Sequence, residues 1–344
     1  MCENAFLLYM RKGIDMNIYD IAAEANTSIS TVSRVLNHKT NVNPEIRKRV
    51  EEVLHKYNYK PSAIARGMVS KTMKNIAVMT VDVRVSHYAR TLFVIEQEFS
   101  GEGYNVNVCN IGISQDEFER YIDINTEKQV DGIILIGSVF SQFLKEERLM
   151  EKLENIPVIM ANGHVKGDNF YSVMVDDKNA IRSAAEYLYN KGKKDVLYVC
   201  DMDTDSARLK KQGFTEALIL RGESQTDERI VYTEYGLEGG RAAADRIIDG
   251  KLPCDGIVFG EDITAIGAMK QFKKRGYRVP EDYAIIGCNN SQETLICEPE
   301  LTSIDNKPEL LGRMCCDMLR RVMNGEDPEQ GVYIQTEIIE RETA

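Results

Sequence analysis

No apolar stretch in this 344-residue sequence approaches the roughly 20 residues that span a bilayer, and the run Ala5–Met10 falls short even of a signal-peptide core. A membrane role is therefore not expected, and the sequence reads as that of a cytoplasmic protein. Its eight cysteines (Cys2, Cys109, Cys200, Cys254, Cys288, Cys297, Cys315, Cys316) form no CxxC pair and no zinc-binding spacing. They read as reduced thiols, several of them packed as small hydrophobes in runs such as Val196–Cys200. Catalytic signatures are also missing: there is no GxSxG, HExxH, GxxxxGK[ST] or GxGxxG, and the glycines of Gly236–Gly240 have the wrong spacing. The 4 histidines divide between a basic segment (His38, His55) and loops after strands (His87, His164), too dispersed to hold a metal. No enzyme, cofactor or metal is expected. With 8 prolines, 24 glycines and 43% hydrophobic residues, fibrous and disordered classes are excluded too.

What is present is a chain long enough for two or three domains, with an uneven charge. Residues 17–74 carry 10 Lys+Arg against 5 Asp+Glu, a net of +5, whereas residues 75–344 carry 31 against 47, a net of −16. A polyanion partner is expected for the small basic head alone. Residues 1–16 match no element of that head and are expected to be an unordered leader.

In the head, Ile18, Ile21, Ala22 and Ala25 recur at i, i+3, i+4 and i+7, which predicts a two-turn helix. Asn26-Thr27 interrupts it, and Ser28 can cap a second helix over 29–37 whose Val32, Val35 and Leu36 face inward. A third helix opens with Asn43 as cap and Pro44 at the first helical position, and carries Ile46, Val50, Val53 and Leu54 on its apolar stripe. Two short helices on a tight polar turn, closed by a third, predict a helix-turn-helix domain over 17–60.

The ordered motif Ile18-Tyr-Asp-Ile-Ala22, Ser30-Thr-Val-Ser-Arg-Val-Leu-Asn37 and Tyr59-Lys-Pro61 resembles the DNA-binding head of the lactose/galactose repressor (LacI/GalR) family. The resemblance implies that the second helix enters the major groove. Ile29 and Ser30 then set base preference and Arg34 grips guanine through two hydrogen bonds, while Tyr19, Ser28, Thr31, Ser33 and Asn37 contact phosphates or bases. It further implies a hinge helix within 61–74, where Met68 stands at the position usually held by a leucine that wedges into the minor groove. A plain flexible linker is the alternative for that segment. Double-stranded operator DNA, read by a homodimer, is the implied partner.

From Asn75 to 340, β-rich runs alternate with amphipathic stretches, which predicts an α/β body of parallel sheets in two lobes. It resembles the periplasmic-binding-protein-like effector and dimerisation domain of the same family. By that resemblance the chain crosses between lobes near Ser172, Ile304 and Gly331. A single helix is predicted over 142–153, and one final strand over 333–337. Helix 88–102 carries Phe93 and Val94 off its Leu92, Ile95, Phe99 stripe, and helix 264–275 offers Ile266 and Met269. This surplus apolar surface reads as a dimer interface or as a wide buried face.

Ligands of open α/β sheets bind beyond the carboxyl ends of strands. That rule and family position select Asp82, His87, Tyr88, Asn162, His164, Lys210, Glu261 and Asn289 as effector contacts. Sugar-sensing members commonly place Asp, Arg, Asn or Asp, and Asp at the positions of Asn162, Lys210, Glu261 and Asn289. Those departures leave one charge of each sign, which predicts a neutral or singly anionic polar effector, a sugar or related metabolite, over a cationic one. The pairs Asp176-Asp177 and Glu261-Asp262 read as caps of the helices that follow them. The function implied is a sequence-specific transcriptional regulator, a repressor, under effector control. The alternative keeps the DNA-binding role but gives control to a partner protein docked on a body with a vestigial cleft.

Overall fold

A computed structural model describes residues 16–36, 39–59, 72–224 and 226–344, and divides into two units at Met73–Lys74. Asn37, Met68, the hinge segment up to 71 and the leader up to 15 lie outside the described residues.

The first unit is built on three helices, α1 (Ile18–Glu24), α2 (Ile29–Leu36) and α3 (Pro44–Lys56). Asn17 and Asp20 form a reciprocal capping box at α1, and Asn43 accepts from the Glu45 N–H at α3 (2.9 Å). Ile21, Ala22, Ala25, Val32, Val35 and Val50 are buried together at the centre, the inward face that the periodicity predicts.

The second unit holds two six-stranded sheets. The first lobe uses β1 (Asn75–Thr80), β2 (Asn105–Asn110), β3 (Gly132–Ile136), β4 (Val158–Ala161), β5 (Phe170–Val175) and β11 (Gly331–Ile334), in the order β11-β5-β4-β3-β1-β2, all parallel. The second uses β6 (Val196–Cys200), β7 (Ile230–Tyr232), β8 (Gly256–Phe259), β9 (Ala284–Cys288), β10 (Thr302–Asp305) and β12 (Glu337–Ile339), in the order β12-β10-β9-β8-β6-β7, with β12 antiparallel to β10.

Helices sandwich each sheet, as the nearly continuous apolar strands require. On the first sheet, α4 (Ser86–Gly101) and α13 (Pro308–Met323) pack Ile95, Phe99, Cys315 and Leu319 on Val78 and Ile134. Its other face takes α5 (Gln115–Glu127), α6 (Phe140–Phe143) and α7 (Glu147–Leu153). On the second sheet, α8 (Asp177–Asn190) and α9 (Asp205–Leu220) cover one face, and α10 (Leu237–Asp249) and α11 (Asp262–Lys274) the other. A short α12 (Glu293–Ile296) follows β9.

Several expectations are corrected. The helix predicted over 142–153 is two, because the step from the buried Leu144 to the buried Leu149 is out of phase with a 3.6-residue turn. The final strand is also two, since Gln335-Thr336 carries the chain from one sheet to the other. The lobe crossings fall at Asp176, Asn306 and Gln335-Thr336, a few residues beyond the expected points, which still lie inside β5, β10 and β11. Ile266 and Met269 are buried in the second lobe, so they are core and not surplus surface, whereas Phe93 is exposed. His87 sits in the first turn of α4 and not on a loop. No helix among the described residues is long and apolar enough to cross a membrane.

Candidate functional site

In the first unit, Ser28 organises the start of α2. Its Oγ accepts from the Thr31 N–H (3.2 Å) and pairs with Thr31 Oγ1 (2.8 Å) and Ser30 Oγ (2.9 Å). Ile29, Ser30 and Arg34 are exposed on α2 and Tyr19 on α1, with Thr31 and Ser33 half-buried beside them. The apolar side of α2 is sealed in the core, so these polar groups face solvent together.

In the second unit, strand order reverses where β1 lies between β2 and β3, and again where β6 lies between β7 and β8. The chain beyond those strand ends forms a small inner cavity of about 50 Å³ between the lobes. Tyr88 and Asn162 line it from the first lobe, Asp201, Lys210, Glu261 and Asn289 from the second, and Asn306 from a crossing segment. An outer hollow of about 310 Å³, lined by Asp82, Arg84, Tyr235 and Glu293, shares His87, Glu261 and Asn289 with it.

Of the eight residues expected here, His87, Tyr88, Asn162, Lys210, Glu261 and Asn289 line the inner cavity, and Asp82 lines the outer hollow, where it pairs with Arg84 (2.7 Å). His164 lines neither. It is exposed, because the left-handed turn at Asn162 (φ 59°) sends the chain away, and its Nδ1 lies 3.3 Å from Ser172 Oγ.

Lys210 is 5% exposed, unlike its half-buried neighbour Lys211, which donates to the Tyr232 hydroxyl (2.7 Å). Its Nζ donates to the Gly260 carbonyl (2.8 Å) and to Glu261 Oε1 (3.4 Å). A Cβ at Gly260 would lie 2.8 Å from Asp201 Oδ1, so glycine there leaves room for the Asp201 carboxyl group. Asn289 Nδ2 donates to Glu261 Oε2 (2.5 Å), and Asn306 Nδ2 donates to Asn289 Oδ1 (2.6 Å). On the facing side, Asp177 accepts from Ser206 Oγ (2.6 Å) and Asn162 Nδ2 (3.3 Å), while Asn162 Oδ1 accepts from the Val175 N–H (3.0 Å).

Asn162 and Asn289 therefore have a physical reason to be amides. Each donates to a buried carboxylate, where an aspartate would set two anions side by side. Both also hold left-handed backbone (φ 59° and 101°), which asparagine tolerates better than most residues.

Burial sets the electrostatics. It pushes Glu261 up to about 8 despite the Lys210 charge, and Asp262 up to about 7; Asp177 and Asp201 are raised as well. Burial, reinforced by Lys210 and Arg90, pulls His87 down to about 3, so it is neutral at physiological pH. Burial also opposes the Lys210 charge, but the surrounding ionisable groups Cys288, Glu261, Asp177 and Tyr198 more than reverse this and hold it protonated.

The capping expectation holds for Asp176, which accepts from the Asn179 N–H (3.2 Å), and fails for the residues after it. Asp177 turns to the cleft, Glu261 makes no side-chain cap, and Asp262 accepts from the Ser291 N–H (2.8 Å) and Ser303 Oγ (2.6 Å). Asp177, Asp201, Ser206 and Asn306 were not anticipated in the cleft. Asp201 could have been found by the strand-end rule, since it follows β6 directly.

The family model described as bacterial regulatory proteins, lacI family, matches residues 17–62, and that of the periplasmic binding protein-like domain matches 185–344. An HTH-type transcriptional regulator of Lachnoclostridium phytofermentans is 33% identical over 331 residues, covering 95% of this chain and 99% of that relative. Catabolite control protein A of Priestia megaterium is 30% identical over 322 residues, covering 93% and 96%. Among solved structures, the lac repressor dimer bound to operator and the anti-inducer ONPF superimposes with a TM-score of 0.85 at 20% identity, covering 96% of this chain and 99% of that one. With its capped helix-turn-helix head and two-sheet body, this chain belongs to the lacI family of bacterial regulatory proteins, a family of transcriptional regulators and not of enzymes.

Proposed function

We propose that this chain represses transcription in the cytoplasm by binding a two-fold symmetric operator as a homodimer. A small polar effector in the inter-lobe cleft, a sugar or related metabolite, sets its DNA affinity. The observation that carries the DNA reading is the start of α2, where Ser28 fixes the first turn and Ile29, Ser30 and Arg34 stand exposed on a head of net charge +5. The lac repressor structure, with operator and anti-inducer bound, supports the pairing of one DNA head with one ligand cleft. An effector that binds one lobe arrangement more tightly shifts the DNA-binding equilibrium by that difference in affinity. We assign Tyr19, Ser28, Thr31, Ser33, Asn37 and Met68 to the DNA contact together with Ile29, Ser30 and Arg34.

Selection on random duplexes tests this reading. The expected product is a palindrome, bound with an affinity that falls steeply with salt, and Arg34→Ala costs about 1–3 kcal/mol of discrimination at one base pair per half-site. Recovery of unselected or non-palindromic sequences overturns it. One observation favours control by a partner protein instead: the inner cavity is only about 50 Å³ and is crossed by the protein's own hydrogen bonds. A metabolite screen that changes neither thermal stability nor DNA release selects that second reading.

A further inference from the structure

The cleft carries more acid than its lysine balances. Asp201 and Glu261 line the inner cavity, and Asp177 stands behind Ser206 and Asn162, so three carboxyl groups surround Lys210. The neighbouring charges do not redress this. Arg90 is engaged by Glu309 and the Asn290 carbonyl, Arg84 pairs with Asp82, and His87 is neutral. Asp262 adds a fourth acid beside the cleft, held by Ser291 and Ser303.

The direction of the hydrogen bonds is an independent constraint. Lys210 can only donate, so Glu261 Oε1 accepts from it, and with Glu261 ionised its Oε2 accepts from Asn289 Nδ2. That orients the Asn289 amide with Oδ1 toward Asn306 Nδ2, and so orients Asn306 with its own Oδ1 unmet. Asn306 is 7% exposed and lines the inner cavity. Asp177 Oδ1, on a residue 1% exposed, also lacks a donor, as does Glu293 Oε2 in the outer hollow. Among the described residues, the unmet buried side-chain atoms of this region are all acceptors, and what they call for is a ligand that donates.

We propose that the effector is cationic: a small polyhydroxylated amine, an amino sugar or its like, whose ammonium is held by Asp201 and Glu261 with Asp177 facing them behind Ser206 and Asn162, and whose remaining donors meet Asn306. This rests on the reading of the cleft as an effector site and reverses the expectation of a neutral or anionic ligand. That expectation set Lys210 against Glu261 alone and left out Asp177 and Asp201. An ammonium brings the countercharge that ionises carboxyl groups which burial otherwise favours in their protonated form, and it donates without accepting.

Calorimetry on the full chain with glucose, glucosamine, N-acetylglucosamine and glucose 6-phosphate is the test, since these probes share one ring and differ in charge. Glucosamine is expected to bind about tenfold or more tightly than either neutral sugar, with the phosphate weakest. Asp201→Asn should bring glucosamine level with glucose, and Asp177→Asn serves if that variant does not fold. Preference for a neutral sugar or the phosphate overturns the proposal and leaves the effector reading standing. Heat from none of the four overturns both.

Discussion

Arg90, on the first lobe, donates its Nη1 to the carbonyl oxygen of Asn290 on the second, at 2.8 Å. Its other edge grips Glu309 through two bonds of 2.7 and 2.9 Å. One guanidinium thus ties α4 to α13 and also to the loop after β9. Arg90→Ala is expected to destabilise the body by about 1–3 kcal/mol and to raise its radius of gyration as the lobes part. Urea titration and solution scattering check both, and Arg90→Lys should recover part of the stability but not the closure, because an ammonium cannot reproduce the fork.

Stability should fall as pH rises from about 6.5 to 8, above the range where the neutral, buried His87 works in the opposite direction. Glu261 and Asp262 are raised in the folded state to about 8 and about 7, above the ~4 of free carboxyls, so the folded protein binds more protons across that interval. Their contribution is fully present below the unfolded value and is lost as pH climbs through the folded ones, at up to about 1.4 kcal/mol per pH unit for each group. Denaturant midpoints at several pH values measure the slope. Glu261→Gln should flatten it, and an unchanged slope in that variant would remove Glu261 as its source.

Gly213 lies where α9 crosses α8, and a Cβ there would fall 1.9 Å from the Lys178 carbonyl oxygen. In an open helix, glycine to alanine is worth up to about 1 kcal/mol of added stability. Here Gly213→Ala should instead cost about 1–3 kcal/mol, because the helices must separate to admit the methyl group. The sign of the change in melting temperature decides between the two.

Phe93 on α4, Val108 on edge strand β2 and Ile113 just after it are 65%, 47% and 80% exposed. Apolar side chains so exposed on one lobe suit a second copy of the chain. The full-length double variant Phe93→Glu, Ile113→Glu should sediment as a monomer at micromolar concentration and bind operator more weakly. A dimeric double variant would place the interface elsewhere.

The head was legible almost residue by residue, because its three helices announce themselves through caps at Ser28 and Asn43 and through a 3.6-residue stripe that becomes the core. The body was legible wherever strands are continuous apolar runs, as at Val196–Cys200. It was not legible at β10. Thr302 and Ser303 are fully buried there, and their hydroxyls are bonded to the Arg341 N–H and Asp262, so Ile304 is the strand's one apolar residue and no apolar run marks it. The cleft suffered in the same way. Asp177 has the local sequence of a helix cap, and only the fold shows that Asp176 already fills that role.

The crossings at Asp176, Asn306 and Gln335-Thr336 make both lobes discontinuous in sequence. The first sheet, whose first five strands come early, takes its sixth from residues 331–334, and α13 closes one of its faces from residues 308–323. On the ribosome, where chains emerge at about 5–20 residues per second, the strands made first must wait for nearly the whole of the second lobe before their apolar face is covered. The first lobe is therefore begun first and finished last, and during synthesis it is the part of this regulator most exposed to chaperones.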